Sequence, residues 1–177
     1  MRMLSFDECR AWCESRGVDA TNARRLRLRQ QTDQTEVVLP SVGLKIVAFS
    51  LVLGRILEGG RPTGILLWLT EKGMWSEEFE VLGSAFWDRL LSGCGVNDQT
   101  EREKPGLLFT RVETQDLRLF LTCVTLFQWD ASLIDGDGRK VIHISHDGYV
   151  RMSARDRDSA KDLKAIASAW GSGTSET

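Results

Sequence analysis

The chain has 177 residues, 42% hydrophobic and 27% charged, with a formal net charge of −2. That length suits one domain able to bury roughly 70% of the surface its unfolded form exposes, so no disulfide or metal staple is required. The slight acidity argues against nucleic acid or an acidic membrane as main partner, since both reward a basic excess.

The N-terminus turns acidic at Asp7 and Glu8 before any apolar run, unlike a secretory leader, so a cytoplasmic protein is expected. Ser5 followed by Glu8 is a capping box, in which each side chain answers a backbone N–H at a helix start. The predicted helix runs from Phe6 to Arg16, with Phe6, Cys9 and Cys13 at helical spacing, and stops at Gly17. Arg25-Leu26-Arg27-Leu28-Arg29 alternates polar and apolar as a half-buried strand does. Polar residues 30–34 turn it into a second strand, Thr35 to Leu39, which Pro40 ends.

Ser41 opens a predicted helix to about Glu58, with Leu44, Val47, Leu51 and Leu57 along its inward face. Residues 46–54 are its most apolar stretch, far short of the ~20 residues a membrane helix requires. Ile65-Leu66-Leu67-Trp68-Leu69 is apolar on both faces and reads as a buried strand, Gly64 to Thr70. Ser76 caps the next helix, with Glu77, Glu78 and Glu80 at the positive end of its dipole and Leu82, Phe86 and Leu90 as its buried stripe. Residues 97–104 are charged and read as a surface loop, followed by a short strand, Leu107 to Val112.

From Thr114 to Gln128 the apolar positions Leu117, Phe120, Leu121, Val124 and Phe127 follow helical spacing and also carry a partial period of two. The stretch is too long for a common strand, so length decides for helix. Ala131 to Ile134 and Val141 to Ser145 form a hairpin across Asp135-Gly136-Asp137-Gly138, and Gly148 to Ser153 adds a strand. A closing helix runs from Asp158 to Trp170 with Leu163, Ile166 and Ala167 inward. Together these predict an α+β fold in one domain, residues 1–170, with a mainly antiparallel sheet and about five helices. The polar tail, 171–177, is expected to be disordered.

Cys9, Cys13, Cys94 and Cys123 lack the paired spacing of a zinc site and read as reduced, largely buried thiols. The Asp135–Gly138 turn is not a calcium loop, because Arg139 and Lys140 fall where oxygen ligands belong. His143-Ile144-Ser145-His146-Asp147-Gly148-Tyr149 holds both histidines and the only tyrosine. On an unbroken strand His143, Ser145 and Asp147 would share one face, and His146 would join Ile142 and Ile144 on the other. Ser145 and Asp147 also suit a side-chain-backed turn at Gly148. Arg25, Arg27 and Arg29 would form a positive stripe, able to meet nucleic acid or an acidic protein, or to discourage edge pairing. Trp68 and Trp75 flank a turn and suit either core anchoring or recognition.

The segment from Trp68 to Ser76, followed by a helix, and the later Ser145-His146-Asp147-Gly148-Tyr149 resemble a group of bacterial proteins with no assigned activity. That group has a W-x-T-x-x-G-x-W segment before a helix and an S-H-D-x-Y segment after a strand. Residues 113–117 and Trp129-Asp130 are also similar, and the likeness covers residues 64–150. Members often carry proline after the second tryptophan and an acidic residue before the tyrosine, where this chain has Ser76 and Gly148. The resemblance implies a bacterial origin and a common fold.

No phosphate loop, dinucleotide fingerprint, nucleophile elbow or metalloprotease helix is present. The expectation is a non-enzymatic protein of immunity or accessory kind that binds another protein through Arg25, Arg27, Arg29, Trp68, Trp75 and Tyr149. No cofactor and no metal are expected, and homo-oligomerisation stays open. The alternative is a hydrolase in which His143 or His146 is general base and Asp147 orients it.

Overall fold

The computed structural model describes residues 1–40, 43–58, 64–71, 77–96 and 105–171. Trp75, the caps assigned to Ser41 and Ser76, the 97–104 loop and all but the first residue of the 171–177 tail lie outside the described residues. The fold is α+β. Its centre is a seven-stranded sheet made of β1 (Arg2–Leu4), β4 (Asp33–Val38), β5 (Ile65–Glu71), β6 (Gly106–Phe109), β7 (Asp130–Ile134), β8 (Lys140–Ser145) and β9 (Tyr149–Ala154). Their spatial order is β1-β6-β5-β7-β8-β9-β4, and every neighbouring pair is antiparallel.

One face of the sheet carries four helices: α2 (Gly43–Glu58), α3 (Glu77–Gly93), α4 (Thr114–Leu126) and α5 (Arg157–Gly171). Within that layer α2 lies between α5 and α4, and α3 flanks the other side of α4. Phe49, Leu53, Trp87, Leu117, Phe120, Val124, Leu163 and Ile166 meet Leu67, Leu133, Ile142, Ile144, Val150 and Met152 from the strands in the main core. Alternation along the strands sends every second side chain there. Trp87 packs edge-on to Phe120 at 4.8 Å and to Trp129 at 5.5 Å, the offset geometry aromatic quadrupoles prefer.

The other face carries α1 (Phe6–Glu14) and a small ribbon of β2 (Val18–Asp19) with β3 (Arg27–Leu28). These bury a second core of Leu4, Cys9, Cys13, Val18, Leu28, Leu66, Trp68, Ile134 and Val141. The capping box forms as its sequence requires: Glu8 N donates to Ser5 Oγ at 3.3 Å, and Ser5 N donates to Glu8 Oε2 at 2.7 Å. All four cysteines are free, and burial pushes the Cys13 thiol up to about 12.

Three sequence expectations change. The strand predicted for residues 25–29 is a single turn of 3-10 helix, Ala23–Arg25, followed by the two-residue β3. Its predicted hairpin partner is instead the sheet-edge strand β4, paired with β9. The inward stripes assigned to α2 and α3 are also rotated. Leu44, Val47, Leu51, Leu82 and Phe86 are exposed, while Ile46, Phe49, Leu53, Gly83, Trp87 and Leu91 are buried. The side chain of Leu57 lies outside the described residues.

Candidate functional site

The small ribbon covers only part of its sheet face. Beyond it, β8 and β9 present His143, Arg151 and Ser153 to a hollow of about 410 Å³, whose walls include Arg24, Arg25 and Arg27. Asn22 opens the 3-10 turn that carries the first two arginines, its side chain accepting from Arg24 N at 3.0 Å. Arg24 pairs with Glu71 at 3.0 Å, and Arg151 with Glu36 at 3.2 Å. Among the described residues, Arg25 and Arg27 have no carboxylate within salt-bridge distance, and both are exposed. Asp19 stands across the ribbon from Arg27 and feels its charge without an ion pair, so the hollow carries two guanidinium groups held in no direct salt bridge, each a planar fork suited to carboxylate or phosphate. Arg29 is separated from them and lines a neighbouring hollow of about 690 Å³ with Arg16 and Arg155.

Tyr149 is half-buried at the start of β9, with the Arg151 guanidinium 5.2 Å from its ring centre and His143 at 6.4 Å. Trp68 is fully buried in the second core, where Phe6 packs on it edge-on at 5.1 Å, so it anchors the sheet and presents no surface. Of the residues proposed for binding, the structure gathers Arg25, Arg27 and Tyr149 near one concavity and sets Arg29 and Trp68 apart.

The histidines lie where β8 turns into β9. Gly148, at φ +82°, donates to Ser145 O at 3.1 Å, and Asp147 N donates to Ser145 Oγ at 3.2 Å. This is the side-chain-backed turn, and it ends the strand at Ser145. The alternation that would send His146 into the main core ends with it. His146 swings to the ribbon side, where its N–H donates to Asp130 Oδ1 at 2.7 Å and its Nδ1 stands 3.0 Å from Asp130 Oδ2. That second contact is short but poorly aligned, a charge pair rather than a directed hydrogen bond. Asp130 is the main reason the His146 pKa sits above its usual value. Asp147, cast as the orienting carboxylate, is 3.5 Å from Nε2 and more exposed than Asp130.

His143 is half-buried and shares a 3.3 Å hydrogen bond with Ser132 Oγ. Burial chiefly, with Arg151 adding to it, holds its pKa below the usual value. Ser132 has no exposed surface, so the pair cannot present its hydroxyl to a substrate.

Sequence reasoning missed Asp130 and Glu71. The β5–β7 register shifts between Leu69 and Glu71, so Thr70 is an inserted residue and Glu71 stands opposite Asp130. Simple alternation would have placed Glu71 on the face of Leu69; the bulge moves it beside Asp130. Ligand atoms of Glu71, Asp130 and His146 lie within 4.8 Å of one another, a spacing that suits a divalent cation. Arg24, and His146 when protonated, place positive charge against the same carboxylates.

Among the described residues no helix is long and apolar enough to cross a membrane. Comparison with protein-family models, with curated proteins and with solved structures found no match.

Proposed function

We propose that this protein binds another protein, taking an acidic segment of it into the arginine-lined hollow. The observation that carries this reading is the pair Arg25 and Arg27, two exposed guanidinium groups on a concave surface that no carboxylate among the described residues holds in a salt bridge, Asp19 acting on Arg27 only at longer range. A carboxylate entering there makes charge-assisted hydrogen bonds without first displacing an internal partner. His143, whose pKa is lowered chiefly by desolvation, and Ser153 add polar groups that fix orientation.

The test is fluorescence titration of a labelled short polyglutamate peptide at several salt concentrations, with a single-stranded oligonucleotide as competitor. Arg27→Glu should weaken peptide binding by about tenfold, near 1.4 kcal/mol, and leave the melting temperature almost unchanged. Arg29→Glu, in the neighbouring hollow, should have a smaller effect. Binding that is indifferent to Arg27→Glu, or oligonucleotide binding tighter than the peptide, would overturn the reading.

A hydrolase using His146 as general base is the alternative, favoured by the 3.0 Å approach of Asp130 to its Nδ1. Among the described residues no hydroxyl hydrogen-bonds to that imidazole, so water would be the nucleophile. Hydrolysis of an activated ester that survives His146→Ala unchanged would remove this reading.

A further inference from the structure

The helical layer is apolar on its outer side as well as its inner. On α2, Leu44 is 84% exposed, and Val47 and Leu51 follow it at three-four spacing. Leu119 and Leu126 on α4 and Phe79, Leu82 and Phe86 on α3 extend the surface across three adjacent helices. These eight side chains expose the equivalent of about four whole ones. At roughly 100 Å² each, the area implied by about 2.5 kcal/mol per buried aliphatic or Phe side chain at about 25 cal/mol per Å², that is about 400 Å². A standard stable interface buries about 800 Å² per partner, of which about 65% is apolar in homodimers, or roughly 520 Å², so these eight side chains supply most of what is needed and their partly exposed neighbours the rest.

The charges bordering this surface have opposite signs on its two flanks. The exposed Lys45 and Arg55 lie on α2, whose first turn has no acid; Glu77, Glu78 and Glu80 occupy the first turn of α3. The central helix, α4, offers its outer side without charge at Leu119, Thr122 and Leu126. Such a face is complementary to itself under a two-fold rotation, the relation in which the same patch is used by both subunits.

We propose that this face is covered by a second copy of the chain. The two helical layers meet about an axis near α4, with the basic α2 of each copy against the acidic start of α3 of the other. The arginine-lined hollow lies across the sheet from this face, so dimerisation and partner capture do not compete for surface.

Sedimentation equilibrium of the full chain across a dilution series tests it. Wild type should sediment as two chains. Leu119→Glu and, on a different helix, Leu44→Glu should each weaken association by about thirtyfold or more, with unchanged far-ultraviolet circular dichroism. Arg55→Glu should weaken the dimer, and adding Glu77→Arg with Glu80→Arg should restore part of it by re-pairing the charges. A single chain at every concentration, or a dimer indifferent to both leucine substitutions, would overturn the proposal. So would monomer that co-sediments with phosphatidylglycerol vesicles and loses that binding in Leu44→Glu, which would assign the face to lipid.

Discussion

At the scale of single residues, Gly106 shows how closely α1 is fitted to the sheet. A Cβ built on it would stand 2.1 Å from Cys9 Sγ and 3.2 Å from Leu4 Cβ. The cysteine fills the space that any other residue at 106 would claim, and it donates weakly to Leu4 O at 3.8 Å. Gly106→Ala is expected to cost about 1–3 kcal/mol through overpacking, measured by urea denaturation. Adding Cys9→Ala should recover part of the loss, because the clash is with that sulfur. If the double variant is no more stable than Gly106→Ala alone, the two positions are not coupled. This coupling joins residues far apart in the chain and had no counterpart in the sequence, where Cys9 could only be read as small and buried.

At the scale of elements, what was legible depended on whether the cause is local. The Ser5–Glu8 cap, the Asp135–Gly138 turn and the turn at Gly148 are fixed by side chains within a few residues of the backbone they satisfy, and all three form. The inward faces of α2 and α3 are set by the tertiary partner instead. Both helices are apolar on more than one side, so spacing alone does not choose a face. Gly83 decides for α3: a Cβ there would lie 2.8 Å from Trp129 and 2.9 Å from Phe127, so this is where the helix can approach the aromatic stack. Glu71 and Asp130 stayed hidden because a bulge, not an alternation, brings them together.

Another connection between elements lies at Arg155, just after β9. Its guanidinium donates to Arg16 O at 2.6 Å and to Gly17 O at 3.0 Å, while Arg16 Nε donates to Gly136 O at 2.9 Å. The end of α1 is thereby tied to both the sheet and the β7–β8 turn. Arg155→Met keeps most of the side-chain volume but leaves the part-buried Arg16 O without this donor, while Gly17 O keeps the Arg29 N–H at 3.0 Å. A loss on the order of 1–2 kcal/mol is expected in thermal or urea unfolding. A variant as stable as wild type would show that water replaces the guanidinium without cost.

At the scale of the whole molecule, the two histidines should give stability a pH dependence with two opposed parts. His146, beside Asp130 and Asp147, has its folded pKa raised above 6.5. Its contribution is therefore complete below 6.5 and is lost as pH rises through the raised value. His143, half-buried and facing Ser132, Tyr149, Arg151 and, at longer range, Asp130 and His146, has its folded pKa lowered. Its contribution is complete above 6.5 and is lost as pH falls through the lowered value. His146→Gln should consequently fall further behind wild type as pH decreases from 8 to 5, an interval that spans the ordinary imidazole range. His143→Gln should draw closer to wild type over the same interval. Asp130→Asn should remove most of the acid-side advantage of His146, because that carboxylate is the main cause of its shift. Urea midpoints across this interval measure all three. If both histidine variants diverge from wild type in the same direction, the two imidazoles do not occupy the opposed environments described, and the assignment of Asp130 to His146 fails with it.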